Sequence, residues 1–191
     1  MRILSEMGIE ARTVVDPVFL LPHGFWEKIS EDSALARWLK SQKYALLYRF
    51  DGDDATAAAA RRLADSRGLK LFSVNSDPLA DKSFDRCGPE TFLALIQNAQ
   101  VVAATSFHAA AFSITFHKEF FIARRREAIN TRMADLLASL GLDGRLVDPA
   151  RLPIPETTIS WTEVDRLLER QRVRSEDFLR ENIARAAQRA V

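Results

Sequence analysis

Short apolar runs alternate with longer helical patterns through the middle of the chain. Apolar runs of strand length occupy residues 44–48, 69–74, 101–104 and 120–123, with a shorter candidate at 145–147. The helical patterns between them occupy residues 54–67, 89–99, 107–116 and 131–140. Gly68 and Gly141 follow two of these patterns directly, as expected for helix ends. The alternation is typical of a parallel sheet with helices on both faces, so it predicts a Rossmann-like α/β domain.

The two ends of the chain depart from this alternation. Helical patterns at 25–29 and 33–40 precede the first strand, and residues 75–87 form a polar loop. Prolines 153 and 155 indicate a linker over residues 151–160, followed by two helices at 161–171 and 175–190. We therefore expect a connecting segment at 1–22, the α/β domain at 23–150, and a linker with carboxyl-terminal helices packed on the domain at 151–191.

Composition narrows the class of protein. The 191 residues are 47% hydrophobic and 28% charged, and 27 basic against 26 acidic residues leave a net charge of +1. That balance argues against a nucleic-acid-coating surface. Cys87 is the single cysteine, which excludes an intramolecular disulfide and argues against a zinc cluster. No apolar run reaches the roughly 20 residues of a membrane helix. We expect a cytoplasmic protein without a transmembrane segment, able to contact the inner face of the membrane.

Several residues suited to catalysis or ligand binding follow the predicted strands. In open parallel sheets, ligands bind beyond these carboxyl ends of the strands. Ser106 or Thr105 is a natural cap for the helix at 107–116, which places His108 in its first turn. The positive end of a helix disfavours a protonated imidazole, but a bound phosphate or carboxylate would favour it. His108 is therefore a candidate proton donor toward an anionic substrate. The alternative is a histidine that only caps or packs.

Arginines follow the next strand along the chain. Arg124, Arg125 and Arg126 come directly after it, and Arg132 lies early in the next helix, where a cation opposes the helix dipole. Guanidinium groups suit phosphate and carboxylate because they donate paired hydrogen bonds. These arginines are either an anion site or a surface charge cluster.

The loop before the helix at 89–99 offers a weaker candidate. Gly88 and Pro89 shape a helix start, and Glu90 either stabilises that start or hydrogen-bonds a sugar hydroxyl. The chain has no dinucleotide or P-loop glycine pattern. Its histidines are too scattered for a metal site, so we expect neither a metal nor a cofactor.

Four segments in order resemble the polysaccharide pyruvyl transferase family. They are DPVFLL at 16–21, GPETFL at 88–93, SFHAAAFS at 106–113 and RMADLL at 132–137. The resemblance implies two Rossmann-like domains of the GT-B type and transfer of pyruvyl from phosphoenolpyruvate to a sugar of a cell-surface or exopolysaccharide glycan. By resemblance, His108 is the general acid, and Arg132 with Arg124 holds the donor's phosphate or carboxylate. Ser106 and Glu90 are further candidates for binding substrate.

The resemblance also sets the expected partners. Family members carry an amino-terminal domain, so we expect this chain to correspond to the carboxyl-terminal half, completed by such a domain or by self-association. Ala109 stands where the family usually has glycine. Two alternatives stay open: a non-catalytic binding or assembly module, and a sugar-nucleotide glycosyltransferase of the same architecture.

Overall fold

The computed structural model describes residues 4, 6–8, 11–31, 34–50, 54–124, 130–148 and 158–189. The chain divides into two compact units, one of Pro22–Ser160 and one of Met1–Leu21 with Trp161–Val191. The predicted boundaries at 22 and 150, and the packing of the carboxyl-terminal helices on the domain, stay predictions.

The larger unit is a six-stranded parallel sheet in its described part, which confirms the Rossmann-like α/β fold. Its strands are β1 (Tyr44–Tyr48), β2 (Lys70–Ser73), β3 (Lys82–Ser83), β4 (Val101–Ala104), β5 (Glu119–Ala123) and β6 (Leu146–Val147). Its helices are α1 (His23–Glu31), α2 (Ala34–Lys40), α3 (Asp54–Ser66), α4 (Pro89–Asn98), α5 (Phe107–Thr115) and α6 (Asn130–Ser139). The strand order is β3-β2-β1-β4-β5-β6, the order of doubly wound nucleotide-binding folds.

Helices cover both faces of the sheet. Ala45 and Leu47 of β1 pack with Ala60 and Leu63 of α3 in one buried cluster. Successive strand residues point to opposite faces, so Tyr44 lies on the other side, where its hydroxyl donates a 2.7 Å hydrogen bond to the Leu95 carbonyl of α4. Burial on both faces explains why the central strands are continuous apolar runs rather than alternating ones.

Within the larger unit, the predicted elements agree with the observed ones to within one or two residues, with one strand missed. The loop predicted at 75–87 contains β3, which pairs with β2 through Phe72 and Lys82. Two residues with exposed or half-buried side chains carry no hydrophobic periodicity, so nothing local marks this strand.

The smaller unit is described by itself. Asp16 caps a short 3-10 helix at Pro17–Leu20, and helix α7 runs without interruption over Trp161–Arg189. The prediction of two separate helices here is wrong. Arg172 pairs with Glu169 at 2.8 Å and with Glu176 at 3.1 Å, so ion pairs cross the expected break, and no glycine or proline interrupts it. Residues 151–157 of the predicted linker lie outside the described residues.

Within the described ranges, every helix is too short or too polar to cross a membrane.

Candidate functional site

The strand order brings the ends of β1 and β4 together at the topological switch point of the sheet. From β1 the chain proceeds to β2 on one side, and from β4 to β5 on the other. The Thr105 amide donates to the Tyr48 carbonyl at 3.0 Å, and the Phe50 amide donates to the Thr105 hydroxyl at 3.3 Å. The loops after the two strands are therefore joined, and ligands bind beside such a point in open α/β sheets.

A cavity of about 510 Å³ opens at this edge of the sheet. Its walls come from the ends of β1 and β2, the loop before α4, and the first turns of α4 and α5. The lining residues are Tyr48, Phe50, Val74, Asn75, Arg86, Cys87, Gly88, Pro89, Phe92, Ser106, His108 and Phe112. Its size is suitable for a small-molecule substrate.

His108 lies in this cavity, in the first turn of α5. Its side chain is exposed, whereas Ala109 and Ala110 beside it are fully buried. The Ser106 hydroxyl caps the helix by accepting a 3.4 Å hydrogen bond from the Ala109 amide. The cap and the buried alanines hold the helix start in place, so the imidazole projects from a fixed support.

Arg124 and Arg132 lie one strand further along the same edge and do not line the cavity. Arg124 is exposed after β5, and its amide donates to the Val147 carbonyl at 2.8 Å. The guanidinium carbon of Arg132 lies 3.8 Å from the centre of the Phe107 ring, and the Phe107 and His108 rings meet edge to face at 5.8 Å. Arg132 thus reaches the neighbour of His108 rather than the cavity wall. Arg125 and Arg126 lie outside the described residues.

Glu90 is exposed in the first turn of α4, beside the cavity rather than in its wall. A β-carbon added at Gly88 would lie 3.1 Å from the Glu90 carboxylate oxygen Oε2. The carboxylate therefore lies close to the Gly88 backbone, where it complements the positive end of α4.

Sequence reasoning missed three polar residues of the cavity. Tyr48 ends β1, Asn75 follows β2, and Arg86 lies in the loop before α4 with a positive φ of 59°. The Asn75 side-chain amide donates a 2.8 Å hydrogen bond to the Arg49 backbone carbonyl, which joins the ends of β1 and β2. Arg86 stands in a polar stretch without periodicity, so only the folded loop reveals its place.

Cys87 is a potential nucleophile in the wall, but its surroundings oppose that use. Burial raises the pKa of the Cys87 thiol, and the nearby Asp85 carboxylate raises it further, although a hydrogen bond with its own backbone acts in the opposite direction. A thiol so placed is a poor source of thiolate near neutral pH. Across the described residues, no three His, Cys, Asp or Glu side chains gather closely enough to hold a metal ion.

A model of the polysaccharide pyruvyl transferase family matches residues 1–124. This chain belongs to the polysaccharide pyruvyl transferase family. The match to the pyruvyl transferases includes Glu90, Ser106, His108 and Arg124, and Arg132 lies beyond it. No curated protein matches the chain. The roles that the sequence assigns to these five residues within a pyruvyl transferase stay predictions.

Proposed function

We propose that the protein transfers a pyruvyl group from phosphoenolpyruvate to a sugar of an exopolysaccharide or cell-surface glycan. The observation that supports this most strongly is the position of His108. It is an exposed imidazole at a helix start, in a cavity at the switch point of the sheet, within the segment that matches the family. Phosphoenolpyruvate is a cytoplasmic metabolite, so the reaction belongs at the cytoplasmic side of the membrane.

The proposed reaction forms a ketal from the donor and two sugar hydroxyls. A proton adds to the methylene carbon of phosphoenolpyruvate, and the central carbon becomes the electrophile. One sugar hydroxyl attacks that carbon, the carbon–oxygen bond to phosphate breaks, and the second hydroxyl completes the ketal. The two hydroxyls lose two protons in all, one of which ends in the new methyl group and the other on phosphate.

His108 is the proposed general acid of this sequence. Its exposed imidazole lies in the cavity at the start of α5, where it can donate a proton to a donor molecule bound there.

The aromatic wall supports a sugar as acceptor. Phe50 is 41% exposed at the cavity, and its ring lies 5.5 Å from that of Tyr48. The electron-rich face of an exposed ring suits the weakly positive C–H groups of a pyranose. The Tyr48 hydroxyl and the Asn75 amide add donors and acceptors of the kind that fix a hydroxylated ligand.

We further propose that the α/β unit acts as the carboxyl-terminal half of a GT-B-like enzyme. In that arrangement the cavity beside β1 and β4 holds the donor and contacts one face of the acceptor sugar, and a second Rossmann-like domain completes the acceptor side. Donor binding by this chain with turnover only after a second domain is added would support a divided site. Donor binding with no turnover in any combination would favour a binding module.

The test measures release of inorganic phosphate from phosphoenolpyruvate with a panel of saccharide acceptors. We expect His108→Ala to lose at least about 100-fold in rate, the usual contribution of a positioned general acid. The matched control is His117→Asn, at the other end of α5, where a positive φ of 51° suits asparagine. Equal rates in His108→Ala and the unmodified protein would remove His108 from the mechanism. Turnover of a sugar nucleotide with no use of phosphoenolpyruvate would replace the proposed donor.

A further inference from the structure

We propose that Arg86 is the anion-binding residue of the cavity beside His108. Under the proposed function, on which this inference rests, its ligand is the phosphate or carboxylate of phosphoenolpyruvate. The sequence points instead to Arg124 and Arg132 for this task, and neither of them lines the cavity.

Arg86 supplies the positive charge that an anionic ligand needs in this cavity. Among the described residues that line the cavity, Arg86 alone carries a permanent charge. Phosphoenolpyruvate carries both a phosphate and a carboxylate, and an anion of that kind requires a cationic partner when it leaves water. Guanidinium is the most suitable side chain because it donates two parallel hydrogen bonds to either group.

The backbone of Arg86 has a conformation that is unusual for arginine. Its φ of 59° lies in the left-handed region, which arginine rarely adopts. Glycine would adopt this conformation without cost, as Gly68 and Gly141 do elsewhere in this chain at φ of 63° and 69°. A long cationic side chain retained at a position that favours glycine indicates a use for the side chain itself.

The surroundings of Arg86 also favour an anion. Two helices begin at the cavity, α4 after Gly88 and α5 after Ser106, and the positive ends of their dipoles favour an anion. Phe50, Phe92 and Phe112 supply apolar walls, and a ligand bound against them would shield its contact with the exposed Arg86 side chain from part of the surrounding water. The Glu90 carboxylate near Gly88 opposes an anion, so it limits the charge that the cavity accepts.

The experiment measures binding of phosphoenolpyruvate and, separately, of uridine diphosphate to the whole chain by calorimetry. Arg86→Gln removes the charge, Arg86→Lys keeps it, and Arg86→Gly removes the side chain while suiting the backbone. The matched control is Arg62→Gln, an exposed arginine of α3 that does not line the cavity. We expect Arg86→Gln and Arg86→Gly to weaken phosphoenolpyruvate binding about 10- to 100-fold, with a smaller loss in Arg86→Lys and none in Arg62→Gln.

Stability separates a binding role from a structural one. Arg86→Gly should melt at the same temperature as the unmodified protein or higher, because glycine relieves the positive φ. Weaker binding should also show a smaller dependence on salt concentration, since one charge pair is lost. A lower melting temperature with unchanged affinity would assign Arg86 to the fold alone and overturn the proposal.

The remaining outcomes distinguish this proposal from the proposed function. Phosphoenolpyruvate binding that is equal in Arg86→Gln and the unmodified protein overturns the role of Arg86 and leaves the donor in place. Binding of uridine diphosphate alone, weakened by Arg86→Gln, supports the anion site and overturns the donor. Failure of the unmodified protein to bind either compound at millimolar concentration overturns both.

Discussion

The guanidinium group of Arg132 lies over the ring of Phe107, with 3.8 Å between the guanidinium carbon and the ring centre. This contact fastens the start of α6 to the start of α5, one residue before His108. The charge that sequence reasoning assigned to an anion therefore has an aromatic partner as well. A cation over an aromatic face contributes about 0.5–1 kcal/mol where both groups are partly exposed.

A double-mutant cycle of Arg132→Leu and Phe107→Leu measures this contact. We expect a coupling of about 0.5–1 kcal/mol in the free energy of unfolding, from urea denaturation. Phosphoenolpyruvate affinity in Arg132→Leu should change little, because Arg132 does not line the cavity. A loss of affinity with no measurable coupling would support the anion-binding role that the sequence predicts.

The ion pair between Arg49 and Asp77 should support the cavity wall. Their side chains are 14% and 1% exposed and lie 2.7 Å apart, joining the end of β1 to the loop after β2. We expect Asp77→Asn to lower the free energy of unfolding by about 2–3 kcal/mol, because it leaves a shielded guanidinium with only the exposed and more distant Asp54 carboxylate as a charge partner. Asp54→Asn is the control, since that carboxylate is 95% exposed and 3.5 Å from Arg49. Similar losses in both variants would contradict this account.

Tyr44 should make the protein sensitive to alkaline pH. Burial raises the pKa of its hydroxyl above the ordinary value. The unfolded chain then loses this proton before the folded protein does, so stability is full below about pH 10 and declines above it. We expect Tyr44→Phe to remove that decline and to lower the free energy of unfolding at neutral pH by about 1–2 kcal/mol, through loss of the bond to Leu95. Chemical denaturation from pH 7 to pH 11 provides the measurement, and an unchanged alkaline decline in Tyr44→Phe would contradict the assignment.

Asp81 should contribute to the loss of folding stability at acidic pH. A side-chain hydrogen bond from Arg61 and a backbone hydrogen bond from Leu71 lower the pKa of its carboxyl. As the pH falls, the Asp81 carboxyl of the unfolded chain is protonated before that of the folded protein. The carboxylate therefore stabilises the fold at pH values above the ordinary pKa of an aspartate, and this stabilisation is lost as the pH falls below it.

We expect Asp81→Asn to flatten the fall of the melting temperature between neutral pH and about pH 3. The effect should be modest, because the side chain is 48% exposed. Asp65→Asn removes the other carboxylate bound to Arg61 and is the control. The melting temperature of this variant should fall more steeply with decreasing pH than that of Asp81→Asn. If the melting temperature of Asp81→Asn falls with pH as steeply as that of the unmodified protein, Asp81 is not the source of the acid sensitivity.

Gly68 should be required at the end of α3. Its φ is 63°, and open space surrounds the position of an added β-carbon, so any cost of substitution comes from the backbone alone. We expect Gly68→Ala to lower the free energy of unfolding by about 1 kcal/mol. Gly24→Ala, at an equally open position within α1 and without a positive φ, should leave stability unchanged or raise it. Equal effects of the two substitutions would refute the backbone explanation.

The sequence by itself determined the layers of the fold. The apolar run at 101–104 and the apolar helix at 107–116 are local patterns in the sequence. A strand that is buried on both faces has to be apolar at successive positions, so the sequence alone reveals it. The same local logic placed His108 at a helix start after β4, because Ser106 is a capping residue that follows a strand. Where a segment lacked such a pattern, as in β3 and across residues 172–174, the prediction failed.

Only the tertiary structure decided which residues surround the histidine. Tyr48, Asn75 and Arg86 are separated from His108 by 22 to 60 positions, and they line one cavity with it because β2, β1 and β4 are neighbours in the sheet. That neighbour relation arises from packing over the whole domain, and no short window of sequence records it. The same packing set Arg132 against Phe107 and placed Arg86 at the cavity wall, and both positions depend on the order of the strands rather than on local residue type.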